Sequence, residues 1–177
     1  MSKNYNVSVI GLGYWGPKLV RNFYKHNQVT LHSVCDVNES RCLNVQKDYP
    51  TVNISTDYLS IVQKPEIDIV AVATPVACHY KIAKAAIENN KHVFVEKPFT
   101  QTIEQAKELI HLANKNNVKI MVDHTFLYTG AVQSMKKIMN NNELGDIRYF
   151  DSTRINLGLV QSDVNVIWDL APHDFSV

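Results

Sequence analysis

Short apolar segments alternate with longer segments of helical spacing over the first 122 residues. The apolar run Tyr5–Ile10 precedes a segment in which Pro17 suits the first turn of a helix. Ile67–Ala73 (IDIVAVA) is almost wholly apolar, which is typical of a strand buried on both faces of a parallel sheet. This alternation predicts right-handed crossovers and an α/β fold of the Rossmann type, with a doubly wound parallel sheet.

The same pattern predicts the individual elements. The predicted strands are Tyr5–Ile10, Val29–Cys35, Thr51–Ile54, Ile67–Ala73, His92–Val95 and Lys119–Val122. The predicted helices are Tyr14–His26, a segment from the capping residue Asn38 to Lys47, Asp57–Gln63, Val76–Asn89, and a segment from Thr102 to Asn116. Thr102 and Gln105 have the spacing of a capping box.

The alternation stops at about Asp123. Beyond it we predict a helix over Ala131–Asn142, a long strand over Ile147–Asn156 and a helix over Val166–Val177. A single strand cannot bury its face alone. We therefore predict one α/β domain over residues 1–122 and the truncated start of a second α/β domain over residues 123–177.

Composition excludes several classes of protein. A net charge of +1 argues against a nucleic-acid partner, and 45% hydrophobic residues argue against disorder. No apolar run reaches the roughly 20 residues that a membrane span needs, and the N-terminus lacks a secretory signal. The three cysteines form no CxxC, so we expect neither a disulfide framework nor a metal site, and we predict a cytoplasmic protein.

A glycine-rich loop follows the first strand. Gly11, Gly13 and Gly16 form a GxGxxG run at the start of a predicted helix. In this context the first glycine allows a tight turn, the second allows the backbone to approach a pyrophosphate, and the third allows close packing of helix and strand. The helix N-terminus favours the phosphate charge, so the loop predicts a dinucleotide site.

An acidic residue ends the second predicted strand. Asp36 stands where a carboxylate accepts hydrogen bonds from the adenosine ribose. Because a carboxylate repels a 2′-phosphate, this residue favours NAD over NADP. Arg41 is the nearest cation, and it keeps NADP open as the alternative.

Three further places carry candidate chemistry. Thr74 and Pro75 end a buried strand, with His79 one helical turn later, and Glu96-Lys97-Pro98 ends the next strand. The alternatives to a functional role are structural. His79 would be a first-turn helix residue bonded to the backbone, and Glu96 and Lys97 would be solvated side chains where the strand ends.

The third place lies near the C-terminus. Asp169 and His173 are four residues apart, which places both on one face of a helix. A histidine with a carboxylate partner can act as a general acid or base near neutral pH. A capping aspartate with a surface histidine is the alternative. Pro172 is expected near the start of that helix, because a later proline would disturb it.

Taken together, GLGYWG, VCD, ATPVACHY, AIENNKHVFVEKP and WDLAPHD resemble the Gfo/Idh/MocA family of NAD(P)-dependent oxidoreductases. The resemblance covers essentially the whole chain. The stretch from Asp123 to Gly158 is similar to members that act on sugar nucleotides, including those that oxidise the C3 hydroxyl of UDP-linked N-acetylated sugars. Some similar members are inositol dehydrogenases.

The resemblance implies roles for the matching positions. Lys97 would bridge the nicotinamide and the substrate hydroxyl, His173 would take the hydroxyl proton, and Asp169 would orient the sugar. His124 and Arg154 would be neighbours of the substrate. The implied cofactor-binding residues are Gly11, Gly13, Tyr14, Trp15, Gly16, Asp36, Thr74, Pro75, His79, Glu96 and Lys97.

The resemblance therefore implies hydride transfer between a sugar hydroxyl and NAD, without a metal. It also implies a longer form whose second domain forms a homo-oligomer, of which this chain is the N-terminal part. Two alternatives stay open, a truncated NAD-binding module without catalysis and a dehydrogenase of inositol or another polyol.

Overall fold

The computed structural model describes residues 4–153 and 164–177. The chain divides into two compact units, Met1–Asp123 and His124–Val177. All strands of the described residues belong to the first unit.

The described part of the first unit contains six strands and five helices. The strands are β1 (Tyr5–Ile10), β2 (Val29–Cys35), β3 (Asn53–Ser55), β4 (Ile69–Val72), β5 (His92–Val95) and β6 (Ile120–Val122). The helices are α1 (Gly16–Lys25), α2 (Glu39–Asp48), α3 (Tyr58–Val62), α4 (Val76–Glu88) and α5 (Ile103–Lys115). The strands form one parallel sheet in the order β3-β2-β1-β4-β5-β6. This order confirms the predicted doubly wound Rossmann fold.

Two buried clusters cover the two faces of the sheet. Val7 and Val9 of β1 pack with apolar side chains of α1 and α2, whereas Ile10 packs in a cluster with side chains of α3, α4 and α5. In β4, Ala71 belongs to the first cluster and its neighbours Val70 and Val72 to the second. The alternation follows from the two-residue period of a strand, and it explains why β4 is apolar throughout.

Local side-chain chemistry sets several helix starts. The Asn38 side chain accepts a hydrogen bond from the Ser40 backbone at 3.0 Å, as predicted for a cap. Thr102 Oγ1 accepts the Gln105 backbone N–H at 3.3 Å. Gln105 Oε1 accepts from Gln101, one residue before the cap, so only half of the predicted capping box forms.

The second unit contains a 3-10 turn (Thr125–Tyr128) and two helices in its described part, α6 (Gly130–Asn140) and α7 (Val166–Phe175). The predicted strand over residues 147–156 is wrong for residues 147–153, which form no strand, and residues 154–156 lie outside the described residues. β-forming side chains need a partner strand, and the described part of this unit offers none. Ile147, Tyr149 and Phe150 are accordingly exposed.

Pro172 departs from its expected position. It lies inside α7 rather than near its start, six residues after Val166. A proline at this position has no N–H for the Trp168 carbonyl. The helix continues to Phe175, and its N-terminus is stabilised by Asn165, whose side chain accepts the Trp168 N–H at 2.9 Å.

Candidate active site at the carboxyl end of the sheet

Gly11 and Gly16 allow a backbone contact at the end of β1. Gly11 has φ +95°, and a Cβ there would lie 2.6 Å from the Ala73 carbonyl group. A Cβ on Gly16 would overlap the Gly11 carbonyl oxygen. Gly13 differs, because a Cβ there would meet nothing within 4 Å. Two of the three glycines are therefore required by the fold, and the third faces open space.

Two exposed aromatic side chains directly precede α1. Tyr14 and Trp15 form an edge-to-face pair with ring centroids 5.3 Å apart. Lys18 Nζ lies 3.6 Å from the Tyr14 ring centroid and 3.9 Å from that of Trp15. Trp15 is the N-cap, and its side chain makes no capping hydrogen bond. A cation and a helix N-terminus thus meet beside the glycine loop, and both favour an anion.

Asp36 is held at the end of β2 by the backbone around it. Its carboxylate accepts the Leu12 N–H at 2.7 Å and the Asn38 N–H at 2.9 Å, and Arg41 Nη1 lies 3.4 Å away. The side chain is only 6% exposed. Each carboxylate oxygen has two lone pairs, so acceptor capacity is left for a ribose hydroxyl. The residue links β2 to the glycine loop and presents its charge at the predicted adenosine position.

The β4 and β5 ends are joined by a histidine. His79 of α4 is 1% exposed, and its ring nitrogens lie 2.7 Å from the Thr74 carbonyl and 2.9 Å from the Pro98 carbonyl. Carbonyl oxygens only accept, so both bonds form together only when both ring nitrogens carry hydrogen. The sequence predicts His79 as a cofactor contact. In the structure it bonds the backbone on both sides, as in its structural alternative.

Glu96 and Lys97 follow β5. Lys97 is half-buried and precedes the Pro98 carbonyl that His79 binds. Glu96 is 7% exposed, and burial together with the neighbouring Asp123 carboxyl, to which it is hydrogen-bonded, raises its pKa to about 7. The Lys97 charge and backbone act in the opposite direction. The acid beside Lys97 therefore titrates near neutral pH.

The remaining predicted residues lie in the second unit. Asp169 and His173 are both on α7, one turn apart as predicted, and the His173 ring centroid lies 4.5 Å from that of Phe126. Nδ1 of His124 is buried and has no hydrogen-bond partner among residues 4–153 and 164–177. Arg154 lies outside the described residues.

Two side chains at these sites are absent from the sequence-based prediction. Asp123 is predicted only as the domain boundary, yet it is hydrogen-bonded to Glu96. A signal for it exists, because VEK and VDH both place an acid directly after a predicted strand. Lys18 has no such signal, because a lysine in a helix ordinarily indicates solvated surface. Across the described residues, no three His, Cys, Asp or Glu side chains are grouped to hold a metal.

The carboxyl end of the sheet fits a dinucleotide. Gly13 leaves open space beside the uncapped start of α1. Thr74 Oγ1 and Glu96 Oε1 are buried at the ends of β4 and β5 and find no hydrogen-bond partner within the described part of the chain. Buried polar atoms without partners are costly, and a bound ligand can satisfy them.

Comparison with known proteins decides the family. Residues 5–124 match the family model GFO_IDH_MocA, described as "Oxidoreductase family, NAD-binding Rossmann fold". The chain belongs to the Gfo/Idh/MocA oxidoreductase family. This Gfo/Idh/MocA chain is 32% identical over 152 residues to the uncharacterised oxidoreductase YdgJ of Escherichia coli K12, a match that covers 86% of this chain and 43% of YdgJ.

One further relative and one solved structure of similar fold have named substrates. The NADP-dependent scyllo-inositol 2-dehydrogenase IolW of Bacillus subtilis is 27% identical over 137 residues, which cover 77% of this chain and 37% of IolW. The structure of a Lactobacillus casei scyllo-inositol dehydrogenase with bound NAD(H) and scyllo-inositol aligns with a TM-score of 0.77 and 23% identity, over 81% of this chain and 43% of that one. The chain thus spans less than half the length of each of these three proteins. In the described part of the chain, no helix is both long and apolar enough to cross a membrane.

Proposed function

We propose that this chain is the NAD-binding part of a dehydrogenase that transfers a hydride between the hydroxyl group of a nucleotide-linked sugar and nicotinamide. The observation that supports it is the half-buried Lys97, which follows β5 at the same end of the sheet as the glycine loop and Asp36. This arrangement combines a dinucleotide cradle with a cation that can stabilise a substrate oxygen.

The first step is to bind and orient the cofactor. The glycine loop and the start of α1 would hold the pyrophosphate, and Asp36 would accept hydrogen bonds from the adenosine ribose. The carboxylate favours NAD over NADP, and Arg41, 52% exposed and 3.4 Å from Asp36, is the residue that could turn toward a 2′-phosphate. Because IolW depends on NADP, the preference of this chain for NAD or NADP has to be measured.

The second step concerns the substrate proton. Hydride acceptance is the chemistry that a bound nicotinamide supplies. The Lys97 ammonium would stabilise the hydroxyl oxygen as its proton leaves, and His173 would take that proton. Asp169, one turn earlier on α7, would hold the sugar. His79 binds the Pro98 carbonyl and so holds the backbone that carries Lys97.

The cysteines indicate the cellular compartment in which the protein is found. Cys35, Cys42 and Cys78 are all free thiols, and burial raises the pKa of Cys35 to about 12. Free thiols suit a reducing environment, so we propose a cytoplasmic location. The homo-oligomeric state of a longer form stays a prediction.

The function is tested with the 177-residue chain. Fluorescence titration with NADH and NADPH measures binding, and NADH formation from NAD⁺ is then followed with UDP-linked N-acetylated sugars, the same sugars without UDP, and inositols. We expect saturable binding that favours NADH. Where turnover is found, Lys97→Ala and His173→Ala should lower it by about 100-fold or more without abolishing NADH binding. Lys115→Ala, an exposed lysine on α5, is the matched control.

The outcomes separate the alternatives. Full turnover in both variants would contradict the proposed roles. NADH binding without turnover on any substrate would support the alternative of a binding module without catalysis. Turnover with inositols but not with sugar nucleotides would identify a polyol dehydrogenase.

A further inference from the structure

Two carboxyl groups meet at the ends of neighbouring strands. β5 and β6 pair in parallel with Val95 opposite Val122, so the next residues, Glu96 and Asp123, are also neighbours. The Asp123 N–H donates to the Val95 carbonyl at 2.8 Å and continues the ladder by one bond. The Glu96 N–H likewise donates to the Val72 carbonyl at 2.9 Å. The backbone of both acids is therefore held by the sheet rather than by a loop.

The two side chains are hydrogen-bonded to each other. Ionised carboxylates only accept hydrogen bonds, so this bond requires a proton on one of them. Glu96 is 7% exposed, and both its burial and the Asp123 charge disfavour a second ionisation. The pair therefore holds one proton at the pH where a single exposed carboxyl would hold none.

Other titratable groups flank this pair in the described residues, among them His124, which follows Asp123 in the chain. Lys97, next in the chain, favours the ionised form of Glu96. On the other side of β5 lies β4, and the segment that follows β4 contributes Thr74, which carries no charge. From α4 the titratable group is His79, whose ring nitrogens contact the Thr74 and Pro98 carbonyls. A ligand that brings positive charge to this end of the sheet would favour the ionised form of both carboxyl groups.

The pair lies in the half of the sheet predicted to bind nicotinamide. A doubly wound sheet has two mononucleotide-binding halves, and Asp36, directly after β2, assigns the adenosine to the half formed by β1, β2 and β3. The other half, β4 to β6, then holds the nicotinamide. We propose that Glu96 and Asp123 share one proton and release it when the positively charged nicotinamide of NAD⁺ binds, and that they keep it when the neutral nicotinamide of NADH binds.

This inference rests on the proposed function and has a defined pH dependence. The Glu96 pKa of about 7 is that of the protein without cofactor. Below this pH, NAD⁺ binding must expel the proton, so the Kd for NAD⁺ falls by up to about tenfold for each unit of rising pH. Above it the pair is already ionised, and the Kd levels off. The Kd for NADH stays flat over the same range, so the preference for NADH over NAD⁺ is greatest in acid.

Titration calorimetry on the 177-residue chain tests the proposal. NAD⁺ and NADH are each titrated at about pH 6 and about pH 8.5, in two buffers with different ionisation enthalpies, which gives the number of protons released. We expect close to one proton for NAD⁺ at the lower pH, none at the higher pH, and none for NADH at either.

Two variants locate the proton. In Asp123→Asn the amide donates to an ionised Glu96, so NAD⁺ should bind without proton release. Glu96→Gln removes the other acid and should likewise bind NAD⁺ without proton release. If circular dichroism shows that Asp123→Asn is unfolded, Glu96→Gln alone tests whether this pair is the source of the proton. Glu88→Gln, an exposed acid on α4, is the matched control and should release the proton as the wild type does.

The possible failures are distinguishable. Absence of NAD⁺ binding to the folded wild type would overturn the proposed function, and this inference with it. NAD⁺ binding with no proton release at about pH 6, equal release with NADH, or unchanged release in both variants would overturn the inference alone.

Discussion

Gly13→Ala separates the requirements of the fold from those of cofactor binding. A Cβ on Gly13 meets nothing within 4 Å, and its φ lies outside the left-handed region. An alanine should therefore change the free energy of unfolding by less than about 1 kcal/mol. The motif predicts that a pyrophosphate approaches the loop backbone here, so the added methyl group should obstruct it.

The expected loss of affinity follows from the hydrogen bonds at risk. A backbone N–H bonded to a charged phosphate contributes about 1.5–3 kcal/mol. A methyl group that displaces the phosphate from one such donor should therefore weaken NADH binding by about 10- to 150-fold. Gly16→Ala is the contrasting change, because its Cβ overlaps the Gly11 carbonyl oxygen, and it should cost about 3 kcal/mol of stability or more.

The assay pairs NADH fluorescence titration with urea unfolding of the same samples. Gly130→Ala is the matched control, since its Cβ also meets nothing within 4 Å and it lies at the start of α6, outside the glycine loop. It should leave both measurements unchanged. If Gly13→Ala binds NADH as tightly as the wild type and is equally stable, the dinucleotide does not approach this loop and the reasoning is refuted.

Single side chains elsewhere in the first unit give three other predictions. Asp36→Asn should weaken NADH binding about tenfold and raise the relative affinity for NADPH, since a charge that repels the 2′-phosphate is lost; an unchanged ratio in paired titrations would argue against the ribose role. His79→Ala leaves two partly buried carbonyls without their donor, so the free energy of unfolding should fall by about 3 kcal/mol and Tm by roughly 6–12 °C in calorimetry. A shift below about 2 °C would show that these two hydrogen bonds do not stabilise the fold. The buried Cys35 and Cys42 should resist a thiol reagent in the folded protein while the half-buried Cys78 reacts, and equal rates for all three would contradict the observed burial.

The fold was largely predictable because its signals are local. Tyr5–Ile10, Val29–Cys35 and His92–Val95 have the same bounds in the prediction and in the structure. Short buried strands and helix caps are written into neighbouring residues, as Asn38 and Asp57 show, since both bond N–H groups two residues away. The predicted strand over residues 147–156 failed in its described part because strand formation depends on a partner segment.

By itself, the sequence determined the order of strands and helices in the first unit, the glycine loop and the acid after β2. Only the tertiary structure decided which side chains act on one another across those elements. His79 is bonded to carbonyls five and nineteen residues away, and Glu96 to an acid twenty-seven residues away. Such partners depend on which strands are neighbours and in what register, because hydrogen bonds act over about 3 Å whatever the separation along the chain.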